Sequence, residues 1–173
     1  MGVRTLYVLR HAKSSWDHPD LDDRQRPLSR RGQRDAKRVA KYLATRTPPP
    51  ALVLCSSALR TRQTLAALEG VLAPTTEVKI EDDVYGAMVD ELIERLQGVA
   101  PAVDSVLLIG HNPGVGDLVL RLTGEADAGA LALAEEKFPT GALATLSFTG
   151  PWAELAPGTA RLDALVVPRQ LAD

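Results

Sequence analysis

The sequence is nearly devoid of cysteine, poor in aromatics and free of long apolar runs, and each shortage removes a class of protein. One cysteine in 173 residues rules out an internal disulfide and leaves no cysteine pair for a zinc cluster. Two Trp, three Tyr and two Phe are too few for broad stacking on bases or sugars, so Ala, Leu and Val must fill the interior. No apolar stretch approaches the roughly 18 residues that a membrane-spanning helix needs. Residues 1–10 are too few, and too soon charged, for a signal peptide; a cytoplasmic protein without a membrane partner is expected.

What is present is the composition of a globular domain. A hydrophobic fraction of 45% beside 24% charged residues, over 173 residues, suits one domain, expected to span 1–173, with a sizeable core. The net charge of −2 conceals a division. Residues 1–86 hold 15 Lys and Arg against 10 Asp and Glu, whereas residues 87–173 hold 5 against 12. The cationic excess lies mostly before residue 47. It suits an anionic ligand or a solvated helix face, while the low overall charge and the lack of a binding motif exclude nucleic acid as a partner.

Hydrophobic patterning gives alternating strands and helices. Leu6-Tyr7-Val8-Leu9, Leu52-Val53-Leu54-Cys55 and Val106-Leu107-Leu108-Ile109 are short, continuously apolar runs, as in strands buried on both faces. Ala36, Val39, Ala40 and Leu43 recur at helical spacing behind Ser29, a suitable N-cap, which predicts a helix over 29–46. Further helices are expected at 58–67, capped by Ser56 or Ser57, at 89–96, and from Pro113 to Leu122 with Asn112 as cap. An edge strand at 77–80 and late strands at 142–148 and 161–167 complete the set. Residues 124–140 read as loop with room for a short helix. The class is α/β: a three-layer α/β/α sandwich around a mostly parallel mixed sheet.

Three polar clusters each follow a buried strand: Arg10-His11, then Ser56-Ser57-Ala58-Leu59-Arg60, then His111-Asn112. Ligands of open α/β sheets bind at that edge. Two arginines and two histidines gathered there, close to helix N-termini, would form a pocket for phosphate.

These residues resemble the histidine phosphatase (phosphoglycerate mutase-like) superfamily. Leu9-Arg10-His11-Ala12 is similar to its Arg-His-Gly signature, with Ala replacing Gly. Leu28-Ser29-x-x-Gly32-x-x-x-Ala36, Ser56-Ser57-x-x-Arg60-Thr-x-Gln63-Thr64 and Gly110-His111-Asn112-Pro113-Gly114 resemble the following signatures, in order. The run from Arg10 to Trp16 and the string Phe138-Pro-Thr-Gly-Ala-Leu143 look most like the small SixA-type phosphohistidine phosphatases.

The resemblance implies a phosphoglycerate mutase-like fold and hydrolysis through a covalent phosphohistidine intermediate. His11 would be the nucleophile, and Arg10, Arg60 and His111 would hold the phosphoryl oxygens. His111 would serve best protonated and His11 must be neutral, so opposite protonation tendencies are expected. Ser14, Lys13 and Asn112 are further candidates for binding substrate. No metal or cofactor is called for, since side chains supply the positive charge. His18 reads as a loop residue.

Asp17 stands where the mutase pattern has Asn, and is expected to turn toward a local Arg or a helix end. Ester-cleaving relatives carry a carboxylic acid after the third strand, and Tyr85 falls at that position here. Asp82 and Asp83 remain candidate acids, as does no acid at all. A protonated phosphoimidazole leaves as neutral imidazole, whose conjugate acid has a pKa of about 6.5, so it tolerates a missing acid better than an alkoxide does. Phosphohistidine borne by a protein is therefore the favoured substrate, and small phosphate monoesters such as sugar phosphates or nucleotides are the alternative. A non-catalytic phosphate-binding module is the third reading.

Arg24, Arg26, Arg30 and Arg31 could dock an acidic partner at the rim. The acidic segment 125–136 either covers the pocket or faces solvent. The oligomeric state is left open, a monomer being compatible with the sequence. Cys55 and Arg60 do not make a tyrosine-phosphatase loop, because four residues separate them instead of five. Gly110 and Gly114 lack the Lys-Ser/Thr of a nucleotide P-loop.

Overall fold

The computed structural model describes residues 2–173. Seven strands form one sheet: β1 (Val3–Arg10), β2 (Leu52–Ser56), β3 (Glu77–Glu81), β4 (Ser105–Gly110), β5 (Thr123–Ala126), β6 (Leu143–Thr149) and β7 (Ala160–Val166). Their order is β3-β2-β4-β1-β6-β7-β5. β1, β2, β3 and β4 run parallel, β6 is antiparallel to both β1 and β7, and β5 pairs parallel with β7.

Successive residues of a strand face opposite sides, and here both sides are covered. Tyr7 and Leu9 pack with Val53, Leu107 and Ile109 against α1 (Arg30–Ala44) and α2 (Leu59–Leu68). Leu6 and Val8 pack with Leu54, Val106 and Leu108 against α3 (Val89–Gln97), α4 (Gly114–Leu122) and α5 (Ala128–Glu136). That double burial is why the strands lack polar alternation, and it produces the three-layer sandwich.

Three local expectations need correction. Residues 124–140 carry real structure: β5, then α5, whose cap Asp127 accepts from the Ala130 amide. A cap of this kind stabilises a helix start by about 1 kcal/mol. The segment starts at the β5 edge, with Glu135 and Glu136 exposed and Glu125 paired to Arg161. At α4, Pro113 and not Asn112 occupies the cap position. At α2 the cap is Ala58, without a side-chain bond, because Ser56 is engaged elsewhere.

Candidate active site

β2, β4 and β1 are neighbours in that order and parallel, so their carboxyl ends lie side by side. Arg10 registers with Gly110, and the His11 amide donates to the Gly110 carbonyl at 3.1 Å. His11 and His111 therefore meet, with ring centroids 5.2 Å apart.

The motif residues that carry no charge hold this loop in place. Thr64 Oγ1 accepts from the Ala12 amide (3.1 Å) and donates to the Arg60 carbonyl (2.8 Å), which ties the loop after His11 to α2. The Lys13 carbonyl accepts from both the amide and the hydroxyl of Ser29, the α1 cap. Gly32 lets α1 come that close: a Cβ there would sit 2.0 Å from the Lys13 oxygen. Gln63 Oε1 accepts from the Leu28 amide. Gly141, at φ 78°, donates to the carbonyls of Arg10 and His11, a backbone conformation that favours glycine. The Phe138 carbonyl accepts from Arg10 (3.2 Å) and from Asn112 Nδ2 (2.8 Å).

The hydrogen bonds assign the tautomer of His11 and restrict that of His111. His11 Nδ1 lies 2.7 Å from the Ala12 carbonyl, which can only accept, so Nδ1 carries the proton and Nε2 keeps its lone pair. His111 is bonded through its other nitrogen, with Nε2 2.7 Å from Ser56 Oγ. Ser56 Oγ accepts from the Ala58 amide (3.3 Å) and retains both a proton and a lone pair, so its contact with Nε2 suits either tautomer of His111. In the tautomer with the proton on Nδ1, Ser56 donates to Nε2, and one ring offers a lone pair while the other offers an N–H.

Both rings are held neutral. Burial, offset in part by the Ala12 hydrogen bond, pushes His11 down to about 3. Burial and the Arg60 charge push His111 down to about 4. The two rings share this neutral state and differ in which nitrogen is free, Nε2 on His11 and Nδ1 on His111; the expected rise of the His111 pKa on binding an anion belongs to the phosphate complex, where an NMR titration tests it.

Arg60 and Arg10 flank the pair. Arg10 Nε, Arg60 Nε and His111 Nδ1 are buried with no hydrogen-bond partner. Buried polar groups are normally satisfied, and three orphaned donors in one place suit an oxyanion with several acceptor oxygens.

Asp23, which the sequence did not single out, enters the site from a 3-10 turn, Asp23–Gln25. Its Oδ2 accepts from Arg60 (3.0 Å) and from the Tyr85 hydroxyl (2.5 Å), and its Oδ1 accepts from Arg26. The Tyr85 bond, with those from Arg60 and Arg26, holds the Asp23 carboxyl far below the ordinary carboxylate range. The Tyr85 ring stands edge-on to His111 at 5.4 Å.

The remaining candidates divide. Ser14 is buried and its hydroxyl accepts from Arg26. Lys13 has an exposed side chain with no hydrogen bond or ion pair among the described residues. Asn112 uses both ends of its amide, on the Phe138 carbonyl and the Gly116 amide. Asp82 is exposed and paired with Arg24 at 3.2 Å; hydrogen bonds from Ser57 and Arg24 lower its pKa, the reverse of what an acid needs. Asp83 is exposed as well. Asp17 is exposed with no ion pair among the described residues, contrary to expectation, and His18 lies in an exposed loop. Arg24 and Arg26 are spent on Asp82 and Asp23, so neither is a free rim charge; Arg30 and Arg31 are exposed. Cys55 is buried and its thiol is pushed up to about 12 by burial, unsuited to nucleophilic attack. Among the described residues, no three His, Cys, Asp or Glu side chains converge as metal ligands would, and no helix is long and apolar enough to cross a membrane.

A phosphoglycerate mutase-like sheet bearing two facing histidines and two arginines at its parallel strand ends defines a phosphatase class. The chain belongs to the histidine phosphatase superfamily (branch 1), whose model matches residues 6–100, and it is a phosphatase of the histidine-nucleophile type. An uncharacterized protein of Mycobacterium tuberculosis is 39% identical over 164 residues, covering 93% of this chain and 100% of that one. A candidate phosphohistidine phosphatase SixA from Nakamurella multipartitia is 34% identical, with a TM-score of 0.83, covering 97% of this chain and 98% of that one. A candidate SixA from Agrobacterium tumefaciens is 31% identical, with a TM-score of 0.80 and coverage of 95% and 98%.

Proposed function

We propose that the protein hydrolyses phosphohistidine carried on another protein, through a phosphohistidine intermediate on His11. Nε2 of His11 attacks phosphorus, and the substrate imidazole leaves with the electron pair of the P–N bond. Arg10, Arg60 and the Nδ1–H of His111 neutralise charge on the transferring oxygens. Water then attacks the phosphorylated His11. This ring leaves neutral, because Nδ1 already holds a proton bonded to the Ala12 carbonyl.

The observation that carries this reading is the pairing of a lone pair on His11 with three unpartnered donors around it. The substrate class is supported by the carboxylic acids. Asp82 is tied to Arg24, and Tyr85 spends its proton on Asp23, so no neutral acid stands ready to protonate an alkoxide. The two SixA candidates above are of the same type. A protein-borne substrate also suits α1, whose Arg30, Arg34, Lys37 and Lys41 form one exposed stripe with no ion pairs among the described residues.

A single-turnover reaction with a radiolabelled phosphohistidine protein tests the proposal. Label is expected on His11 and is lost in His11→Ala. Label arising only from sugar phosphates or nucleotides would mean a small-ester phosphatase. Phosphate bound with no label on His11 would overturn both.

A further inference from the structure

Cleaving a P–N bond to imidazole raises a question that His11 already answers. A phosphorylated imidazole is a good leaving group only while its other ring nitrogen bears a proton, since it then departs as a neutral ring. For His11 that second nitrogen is Nδ1, and the Ala12 carbonyl accepts from it at 2.7 Å. The substrate's phosphoimidazole has the same need. In an in-line displacement its ring must depart on the side of phosphorus away from His11 Nε2. Resting on the phosphohistidine reading above, we infer that Asp23 is a specificity-determining residue, whose carboxylate accepts a hydrogen bond from the far ring nitrogen of the substrate and so selects phosphoimidazoles over phosphate esters.

Several observations support this assignment. Asp23 is the acidic side chain bonded to Arg60, and it stands half-exposed, with 50% of its side chain open to solvent. Its two oxygens are unequally used. Oδ2 takes short bonds from Tyr85 (2.5 Å) and Arg60 (3.0 Å). Oδ1 takes only two long contacts, 3.3 and 3.2 Å, both from Arg26. A charge-assisted N–H from an imidazolium is a shorter and stronger bond, so Oδ1 is the oxygen that can receive it. Arg26 does not depend on that contact, being also bonded to Ser14 and stacked on Trp16 at 3.7 Å.

The same carboxylate discriminates against esters. An alkyl phosphate develops negative charge on its leaving oxygen and needs a proton there. A carboxylate held ionised by Tyr85, Arg60 and Arg26 can neither supply that proton nor tolerate the charge. The charged and titratable groups facing Asp23 are Arg60 from α2, Tyr85 from the turn after β3, Arg26 from its own loop, and His111 from the end of β4. Asp23 is held below its ordinary range and Tyr85 is raised above its own, so neither changes charge between pH 6 and 9.

The experiment compares wild type with Asp23→Asn on a phosphohistidine peptide and on p-nitrophenyl phosphate. Loss of a hydrogen bond to a charged group is expected to lower kcat/KM on the peptide by roughly 10- to 100-fold. Asp23 also holds Arg60, so the aryl phosphate serves to divide out that shared effect: the ratio of kcat/KM on the peptide to that on p-nitrophenyl phosphate should fall by about 10-fold or more. The alkaline limb of kcat for the peptide should move to lower pH in Asp23→Asn, because the carboxylate no longer raises the pKa of the bound ring. Asp23→Glu should restore much of the preference.

Equal losses on both substrates, or an unmoved alkaline limb, would overturn the inference and leave Asp23 as a support for Arg60. If Asp23→Asn does not fold, nitrogen NMR of a phosphoimidazole bound to His11→Gln decides: its ring must titrate above the free compound. A wild-type enzyme active on esters but inert on the phosphohistidine peptide defeats the parent reading, whatever Asp23→Asn does.

Discussion

Acidification tests the electrostatics of the histidine pair directly. In the unfolded chain both rings titrate near the ordinary value of 6.5; in the folded protein they titrate at about 3 for His11 and about 4 for His111. Between these limits the unfolded state binds protons that the folded state refuses, so stability rises with pH. The contribution is fully present above 6.5 and is lost as pH falls toward the folded values. At pH 5 an unfolded ring is almost wholly protonated and a folded one hardly at all. That difference costs about 2 kcal/mol per ring, or roughly 4 kcal/mol for the pair, relative to pH 8. Stopping at pH 5 keeps the measurement above the range where Glu81 and Asp23, whose pKa values are lowered, would add their own losses. With a urea dependence of about 2 kcal/mol per molar, the unfolding midpoint should fall by roughly 2 M between pH 8 and pH 5. The variant carrying both His11→Gln and His111→Gln should lose most of that slope. A wild-type midpoint that barely moves, or a slope that survives in the double variant, would refute the claim that burial keeps both rings neutral.

Two further outcomes follow from the site and from α1. Ser56→Ala frees His111 to move its proton to Nε2, so nitrogen NMR should show loss of the Nδ1–H tautomer and kcat should fall about 10-fold, less than the 100- to 1000-fold typical of deleting an oxyanion donor altogether; unchanged kcat with an altered tautomer would remove the assigned role of Nδ1. Reversing the charges of Arg30, Arg34, Lys37 and Lys41 should raise KM for an acidic phosphohistidine protein several-fold at low salt and leave p-nitrophenyl phosphate hydrolysis unchanged, whereas an equal effect on both substrates would count against docking along this helix.

The sheet was largely legible because its strands are buried on both faces. Leu6 to Leu9, Leu52 to Cys55 and Val106 to Ile109 have no polar alternation, and a continuous apolar run of four is too short for a helix that starts and ends in loops. Residues 124–140 were not legible for the complementary reason. α5 buries only Ala130 and Ala134 and exposes much of the rest, so its apolar stripe is too narrow to read at helical spacing. Its true signal was Asp127 at the cap, followed by small residues of high helix propensity.

In the site, the residues that hold one another in register were visible, and the state of their charges was not. Motif order sufficed to bring His11, Arg60 and His111 to one sheet edge, since parallel neighbours align their ends. Protonation depends on what a ring touches after folding. The Ala12 carbonyl and the Ser56 hydroxyl set opposite free nitrogens on two rings of the same charge, and neither contact has a sequence signature of its own. Asp23 was hidden in the same way. It lies among Asp20, Asp22 and Asp23 in a polar loop, and nothing local separates the one carboxylate that reaches Arg60 and Tyr85 from two that do not. The cue available was stoichiometric: a buried arginine such as Arg60 needs a counter-charge, and the acidic residues able to supply one lie in that loop or beside Tyr85. Sequence motifs identify the groups a phosphoryl oxygen would meet, and the carboxylate that orders those groups follows from electroneutrality of the folded site.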